Sequence, residues 1–199
     1  MTGDTRRGYA KGRAKRVEIL DQAMALFGEV GYRGASLRLI ATRCGISHPG
    51  LLHHFPTKQS LLLAVLEHRD EVDGAWLAVG GPTGVDRLRR LVDLAALNAR
   101  RRGIVELFSV LAAEATSTGH PAHTYFVERY RNSVRTTAVS YEEARDEGAL
   151  RTGIAPGEAA QQLIGLMDGL QTQWLLSDCA TDMAGVLRAH VQAQLTVEL

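Results

Sequence analysis

The chain has 199 residues, is 45% hydrophobic and carries a formal net charge of +1, which provides for a real core and excludes a largely disordered chain. That charge hides a division: residues 1–60 hold ten Lys and Arg against four Asp and Glu, and residues 61–199 hold thirteen against eighteen. A compact basic part suits a polyanion, while the mildly acidic remainder excludes a surface lying wholly on nucleic acid or on an anionic membrane.

The N-terminal MTGDTRRGYAKGRAKR has charge without an apolar centre and does not read as a signal peptide. Residues 1–12 read as a flexible basic arm, interrupted by Gly3, Gly8 and Gly12. A first helix is expected from about Arg13 to Glu29, with Ile19, Ala23, Leu26 and Phe27 on one face and Gly31 near its end. In SLRLIATRCGISHPGLLHHFPTKQSL, Leu37, Ile40, Ala41 and Cys44 recur on one face of a second helix, and Gly45 suits a residue of positive φ that ends it. Ser47 is a good N-cap for a third helix in which Pro49 is tolerated and Leu51, Leu52 and Phe55 supply apolar contacts. Two short helices across a tight turn are a helix-turn-helix.

A fourth helix is expected from Thr57 to about Val79, with Leu61, Leu62, Val65 and Leu66 inward, linking the two parts. Gly80, Gly81, Pro82 and Gly84 break the pattern, and Thr83 with Asp86 resembles an N-terminal capping pair. Further helices follow at roughly 84–101, 103–117 and 121–147, then, after a break over Gly148 to Pro156, at about 157–176 and 182–196. No strand pattern, internal repeat or low-complexity tract is found, so the expected class is all-α with about nine helices. No apolar run approaches the roughly 20 residues of a membrane span. Cys44 and Cys179 read as buried free thiols rather than a disulfide or a zinc site, and the expected location is cytoplasmic.

The run GYRGASLRLIATRCGIS, then HPGLLHHF and PTKQSL, resembles the DNA-binding head of TetR-type transcriptional regulators, and the later DGLQTQWLLSD with the helical body resembles the other half of that family, nearest its BetI-like branch. The resemblance implies an N-terminal three-helix helix-turn-helix domain over 13–56 and a C-terminal helical ligand-binding and dimerisation domain over 57–199, in an Ω-shaped homodimer. Family members commonly carry Lys, Thr and Tyr where this chain has His48, Gly50 and Leu52, so its contacts differ from theirs at three positions, whereas Ser47, His53 and Lys58 match.

In the head, Ser47, His48, Gly50 and His53 are expected on the exposed side of a short helix that can enter a major groove, with Gly50 permitting close backbone approach. Lys58 beside a helix N-terminus suits a phosphate, as do the hydroxyls of Ser36 and Thr57. Arg38 and Arg43, with Lys11, Arg13, Lys15 and Arg16, add attraction that is independent of base sequence. The candidate DNA contacts are Ser36, Arg38, Ser47, His48, Gly50, His53, Thr57 and Lys58. His54 beside Phe55 reads equally as a packed histidine, and a metal cluster of Cys44 with the histidines is redundant once the helix-turn-helix accounts for them. Arg100, Arg101 and Arg102 read as a charge run complementing a helix C-terminus.

In the body, Phe108, Leu111, Glu114, Phe126, Tyr130, Met167, Gln171 and Trp174 are candidate ligand contacts, each of which also fits an ordinary core position. They suggest a hydrophobic or aromatic effector, with a cationic group if Glu114 lies inside. Leu163, Leu166, Leu170, Val186, Leu187, Val191 and Leu195 are candidates for a four-helix dimer seam, intrachain packing being the alternative. The function expected is a ligand-responsive repressor, bound as a homodimer to a palindromic double-stranded operator and released by a small hydrophobic effector, with no cofactor and no metal. The alternatives are a DNA-binding regulator controlled by a partner protein, and a helical enzyme assembled from His120, His123, Glu128 and Asp168, for which no catalytic motif is present.

Overall fold

The computed structural model describes residues 3–199, with side chains from Gly12 onward. Met1, Thr2 and the side chains through Lys11 lie outside the described residues, and with them most of the arm expected over 1–12. Nine helices are found among the described residues: α1 (Gly3–Gly34), α2 (Leu37–Arg43), α3 (His48–His54), α4 (Lys58–Ala78), α5 (Gly84–Asn98), α6 (Arg102–Glu114), α7 (His123–Asp146), α8 (Pro156–Leu176) and α9 (Met183–Gln194). The class is all-α, with one isolated bridge between Leu150 and Leu195. The first helical backbone starts at Gly3 rather than near Arg13, and it kinks at Gly31, whose φ of 69° and ψ of 176° leave the helical region.

The helix starts at the N-terminal end follow their cap residues. Ser36 accepts the Leu39 N–H at 3.2 Å, Ser47 accepts the Gly50 N–H at 3.1 Å, and Thr57 and Ser60 exchange bonds of 3.0 and 3.1 Å in a reciprocal capping box. Each such cap contributes about 1 kcal/mol. Between α2 and α3, Gly45 takes a φ of 61°, which a side chain would oppose, and Ile46 N–H returns to the Ala41 carbonyl at 3.0 Å.

Two apolar cores organise the chain. The first joins Ile19, Leu26 and Phe27 of α1, Ile40 of α2 and Leu51 of α3 to Leu61, Leu62, Val65 and Leu66 of α4, and continues into Leu107 and Leu111 of α6 and Phe126 of α7. It therefore runs without a break past the boundary expected at residue 56. The second gathers Leu88, Val92, Tyr141, Leu163, Trp174, Leu187 and Val191 from α5, α7, α8 and α9, with Leu195 just past the end of α9. Each large apolar side chain fully enclosed there stabilises the fold by about 1.5–3 kcal/mol.

The expected capping pair at α5 is corrected by the structure. Thr83 makes no side-chain cap bond and Asp86 pairs with Arg89 instead. The Gly84 N–H is taken by the Glu143 carboxylate of α7 at 2.8 Å, so this helix N-terminus is held by a tertiary contact.

Helices α1 and α6 cross closely at Gly28, where a Cβ would lie 3.0 Å from the Gly103 carbonyl oxygen and 3.2 Å from the Leu107 nitrogen. Both obstacles are backbone and cannot swing aside. Gly28→Val is expected to cost about 1–3 kcal/mol by forcing the helices apart; urea denaturation followed by circular dichroism checks it.

Candidate nucleic-acid interface and body cavity

Helices α2 and α3 present the predicted head residues on one surface. Ser36, Arg38, Ser47, His53 and Thr57 are exposed, and His48, Gly50 and Lys58 are half-buried. Because Ser36, Ser47 and Thr57 accept backbone N–H groups through their oxygens, their O–H groups remain free to donate outward to a phosphate. A Cβ on Gly50 would sit 3.2 Å from Ser47 Oγ, so glycine here leaves room for the cap as well as for close approach.

Several of the expected cations are also structural ties. Arg43 makes a two-pronged pair with Glu29 at 2.7 and 3.0 Å, which lowers the Glu29 carboxyl below its ordinary range. Lys15 reaches Glu18 and the Cys44 carbonyl, and Arg16 lies over the Phe55 ring at 4.3 Å while donating to the His54 carbonyl. His54 itself is half-buried and meets His53 edge to face at 5.8 Å. Cys44 is a buried free thiol, its pKa raised by burial, and Cys179 is also free.

Just behind this surface the head is pinned to the body. Past the Gly31 kink, the Tyr32 N–H donates to Glu114 Oε2 at the end of α6, at 3.0 Å. A Cβ on Gly31 would lie 2.8 Å from Glu114 Oε1, so glycine is needed both for its φ and for this approach. Lys58 Nζ sits 4.5 Å above the Tyr32 ring, and His120 meets the same ring edge to face at 5.1 Å. Glu114, a predicted ligand contact, is thus a joint between α6 and the head.

A cavity of about 270 Å³ lies between α4, α5, α7 and α8. One wall is a stripe of α7 at helical spacing: Arg129, Asn132, Ser133, Thr136, Thr137 and Ser140. Facing it are Leu77 of α4, Leu91 and Leu94 of α5, and Ile164 and Met167 of α8, with Arg87 between them and Asp70 and Asp73 at the floor. Of the eight predicted ligand contacts only Met167 lines it. Tyr130 lines a separate recess between α7 and α8, half-buried Gln171 lines neither, and Phe108, Leu111, Phe126 and Trp174 are buried in the cores. The lining mixes charge, hydroxyls and aliphatic carbon, and is more polar than the apolar lining with a few orienting polar groups expected from sequence.

The floor rests on an ionic network, buried at Arg69 and Asp73 and half-buried at Asp70, Arg101 and Arg129, that sequence reasoning missed. Asp70 takes Arg129 on one oxygen and the Tyr125 hydroxyl on the other. Asp73 takes Arg101 at 2.9 Å, while its other oxygen lies 2.8 Å from Arg69 Nε as an ion pair whose alignment falls short of a hydrogen bond. The guanidiniums of Arg69 and Arg129 lie 3.8 and 4.6 Å from the centre of the Phe108 ring, whose face supplies the remaining counterweight. Burial lowers Arg69 to about 10. Arg101, read from sequence as part of a terminal charge run, turns inward to Asp73 and Asn98. The i, i+4 pair Arg69 and Asp73 and the α7 polar stripe were visible as spacings, but Arg101 was not, because its partner is on another helix.

The dimer-seam candidates divide, five of the seven following the intrachain alternative. Leu163, Leu170, Leu187, Val191 and Leu195 are buried within this chain, which leaves Leu166 half-buried and Val186 43% exposed.

The family model described as "Bacterial regulatory proteins, tetR family" matches residues 19–65, and the model "BetI-type transcriptional repressor, C-terminal" matches residues 82–196. The chain belongs to the TetR family. Its helix-turn-helix is that of a DNA-binding transcriptional regulator, and the family and fold are those of regulators, which are not enzymes. This TetR-family chain is 38% identical over 65 residues to the HTH-type transcriptional regulator RutR of Escherichia coli (strain K12), a match covering 33% of the chain and 29% of RutR. It is 27% identical over 150 residues to the HTH-type transcriptional repressor KstR2 of Rhodococcus jostii (strain RHA1), covering 72% of the chain and 67% of KstR2. The structure of a transcriptional regulator from Saccharomonospora viridis in complex with choline shares the fold, with a TM-score of 0.77 at 24% identity over 90% of this chain and 96% of that one. Among the described residues no helix is long and apolar enough to cross a membrane.

The joint yields a pH prediction. His120 is buried and its Nδ1 accepts the Ala122 N–H at 3.2 Å, so the proton of the neutral ring sits on Nε2, 3.7 Å from Glu114. Burial is the largest influence and holds its pKa below the ordinary imidazole value, with Glu114 opposing and Arg33 assisting. The unfolded chain therefore takes up this proton first as pH falls, so the stability is complete above about pH 6.5 and is lost below it. The melting temperature of the wild type is expected to fall more than that of His120→Gln between about pH 7.5 and pH 5.5; paired thermal melts check it.

Proposed function

We propose that this regulator is a ligand-responsive repressor that binds a palindromic operator as a homodimer and releases it when a small molecule fills the body cavity. The observation that carries this reading is that α4 serves both sites: it begins at Lys58 beside the reading surface and lines the cavity with Asp70, Asp73, Gly74 and Leu77. A ligand that binds one pose of α4 better than another shifts the spacing of the two recognition helices, and only that difference in affinity releases DNA. The presence of an open cavity in the body favours a small molecule over control by a partner protein alone, as does the choline held by the Saccharomonospora viridis regulator.

In this reading α3 enters the major groove with His48, Gly50 and His53 near base edges, and Ser36, Arg38, Ser47, Thr57 and Lys58 meet phosphates. Two heads read half-sites about 34–36 Å apart, or a multiple of that. The second copy packs on the outward faces of α8 and α9, where Gly165 and Gly169 have no side-chain neighbour within 4 Å and Val186 is exposed. Small residues there let helices approach closely.

Selection from a random DNA pool is expected to return a palindrome whose binding weakens steeply with salt. On that operator Arg38→Gln should weaken binding across sequences and lower the salt slope by about 1, and Gly169→Arg should give a folded monomer in sedimentation that binds far more weakly. Enrichment of no sequence by well-folded dimer refutes the reading.

A further inference from the structure

The cavity floor has its acceptors occupied and its donors in surplus. Both oxygens of Asp70 are engaged, one by Arg129 and one by Tyr125. Asp73 gives one oxygen to Arg101, and its other oxygen is sealed from solvent against Arg69. A guanidinium carries five N–H donors. Arg129 spends Nη1 on Asp70, and Arg87 spends Nη1 on the Leu77 carbonyl, so both retain donors where they line the cavity. In direct contact the network holds three guanidiniums, Arg69, Arg101 and Arg129, against two carboxylates, Asp70 and Asp73. The next carboxylate, Asp168, lines the separate recess between α7 and α8; burial works against its charge, while the Tyr130 hydroxyl and the more distant Arg129 and Arg69 favour it, and it makes no direct ion pair with either guanidinium. Along α7 the Ser133 and Thr137 hydroxyls continue the line of groups able to donate to oxygen. No aromatic ring lines this cavity, so the cage that a quaternary ammonium requires is missing from it.

We propose that the effector is a small carboxylic acid, its carboxylate bound at the floor by Arg129 with Arg87 facing it, and its body lying between the α7 hydroxyl stripe and the aliphatic wall of α5 and α8. This rests on the effector reading above and adds the chemistry of the ligand. An added carboxylate matches the three guanidiniums of the network with three carboxylates, Arg87 having Glu143 of α7 as its own acidic neighbour, and gives the spare guanidinium donors the bidentate partner they suit. At about 270 Å³ the cavity is close to the lower end of ligand sites, which restricts the acid to a small one.

The test uses the minimal carboxylate as probe. Thermal melts of the full chain are recorded in sodium acetate, sodium chloride, acetamide and tetramethylammonium chloride at matched ionic strength and pH. Acetate near ten times its dissociation constant is expected to raise the melting temperature by about 3–6 °C above chloride, acetamide and tetramethylammonium to give no such rise, and Arg129→Gln to abolish the acetate effect. If Arg129→Gln does not fold, Arg87→Gln and Thr137→Val must each reduce the effect. No acetate rise over chloride, an equal rise with acetamide, a larger rise with tetramethylammonium, or a rise unchanged in the variants overturns the proposal. The melts contain no DNA, so they fail independently of the operator selection: an operator-binding chain indifferent to acetate keeps the repressor and loses the carboxylate, and the converse result keeps the carboxylate site and loses the repressor.

Discussion

Helix α4 belongs to two environments that obey different physics. Its first half buries Leu61, Leu62, Val65 and Leu66 in the core that also holds the helix-turn-helix. Its second half carries Arg69, Asp70 and Asp73 into a partly buried ionic network with Arg101 and Arg129. Apolar packing is tolerant of direction, whereas paired charges in a low-dielectric interior are not, because any displacement leaves a guanidinium or a carboxylate uncompensated. In the proposed function the network sets the rotation and height of α4 for each state of the cavity, and the apolar half carries that pose to the reading head about 18 Å away along the helix.

The head has a second attachment of a different kind. At Gly28 the backbones of α1 and α6 nearly touch, and three residues on, at the Gly31 kink, Glu114 fills the space that a side chain would occupy and takes the Tyr32 N–H. Two glycines and one carboxylate make a narrow joint with little freedom to slide. Under the proposed function, a ligand that resets the network moves α4 as a beam while the joint holds, so the head turns rather than translates, which is the motion that changes the separation of two recognition helices. Buried ion pairs contribute little net stability, so their concentration on the beam and not in the joint suits a bistable element.

What was legible in the sequence was local. Ser47 announced its helix because a cap hydrogen bond spans only three residues, and Gly45 announced the turn because few residues tolerate its φ; Ser36 and Thr57 cap their helices in the same way but stood out in the sequence as phosphate-binding hydroxyls rather than as caps. The nine helices followed from apolar periodicity for the same reason. Residues whose partners are distant were misread. Thr83 carried a cap signature, yet Glu143 of α7 holds that helix end; Glu114 was a pocket candidate and is a joint; Phe108 was a pocket candidate and is a platform for two guanidiniums. The body failed most because apolar side chains on a helix face read the same whether they meet a ligand, a partner copy or their own core. The α7 wall of the cavity is a polar stripe, whereas most of the candidates lay on apolar faces.

The claim on which the account depends is that the charged floor sets the pose of α4 and so the reading of DNA. Its most direct test is the operator affinity of Asp73→Asn, a substitution remote from every reading residue, measured by fluorescence anisotropy on dimer that retains wild-type helical circular dichroism. The account predicts binding weakened about tenfold or more, a change of about 1.4 kcal/mol, because Arg69 and Arg101 lose their shared carboxylate and α4 its register. A folded, dimeric Asp73→Asn protein that binds the operator as tightly as the wild type would contradict it.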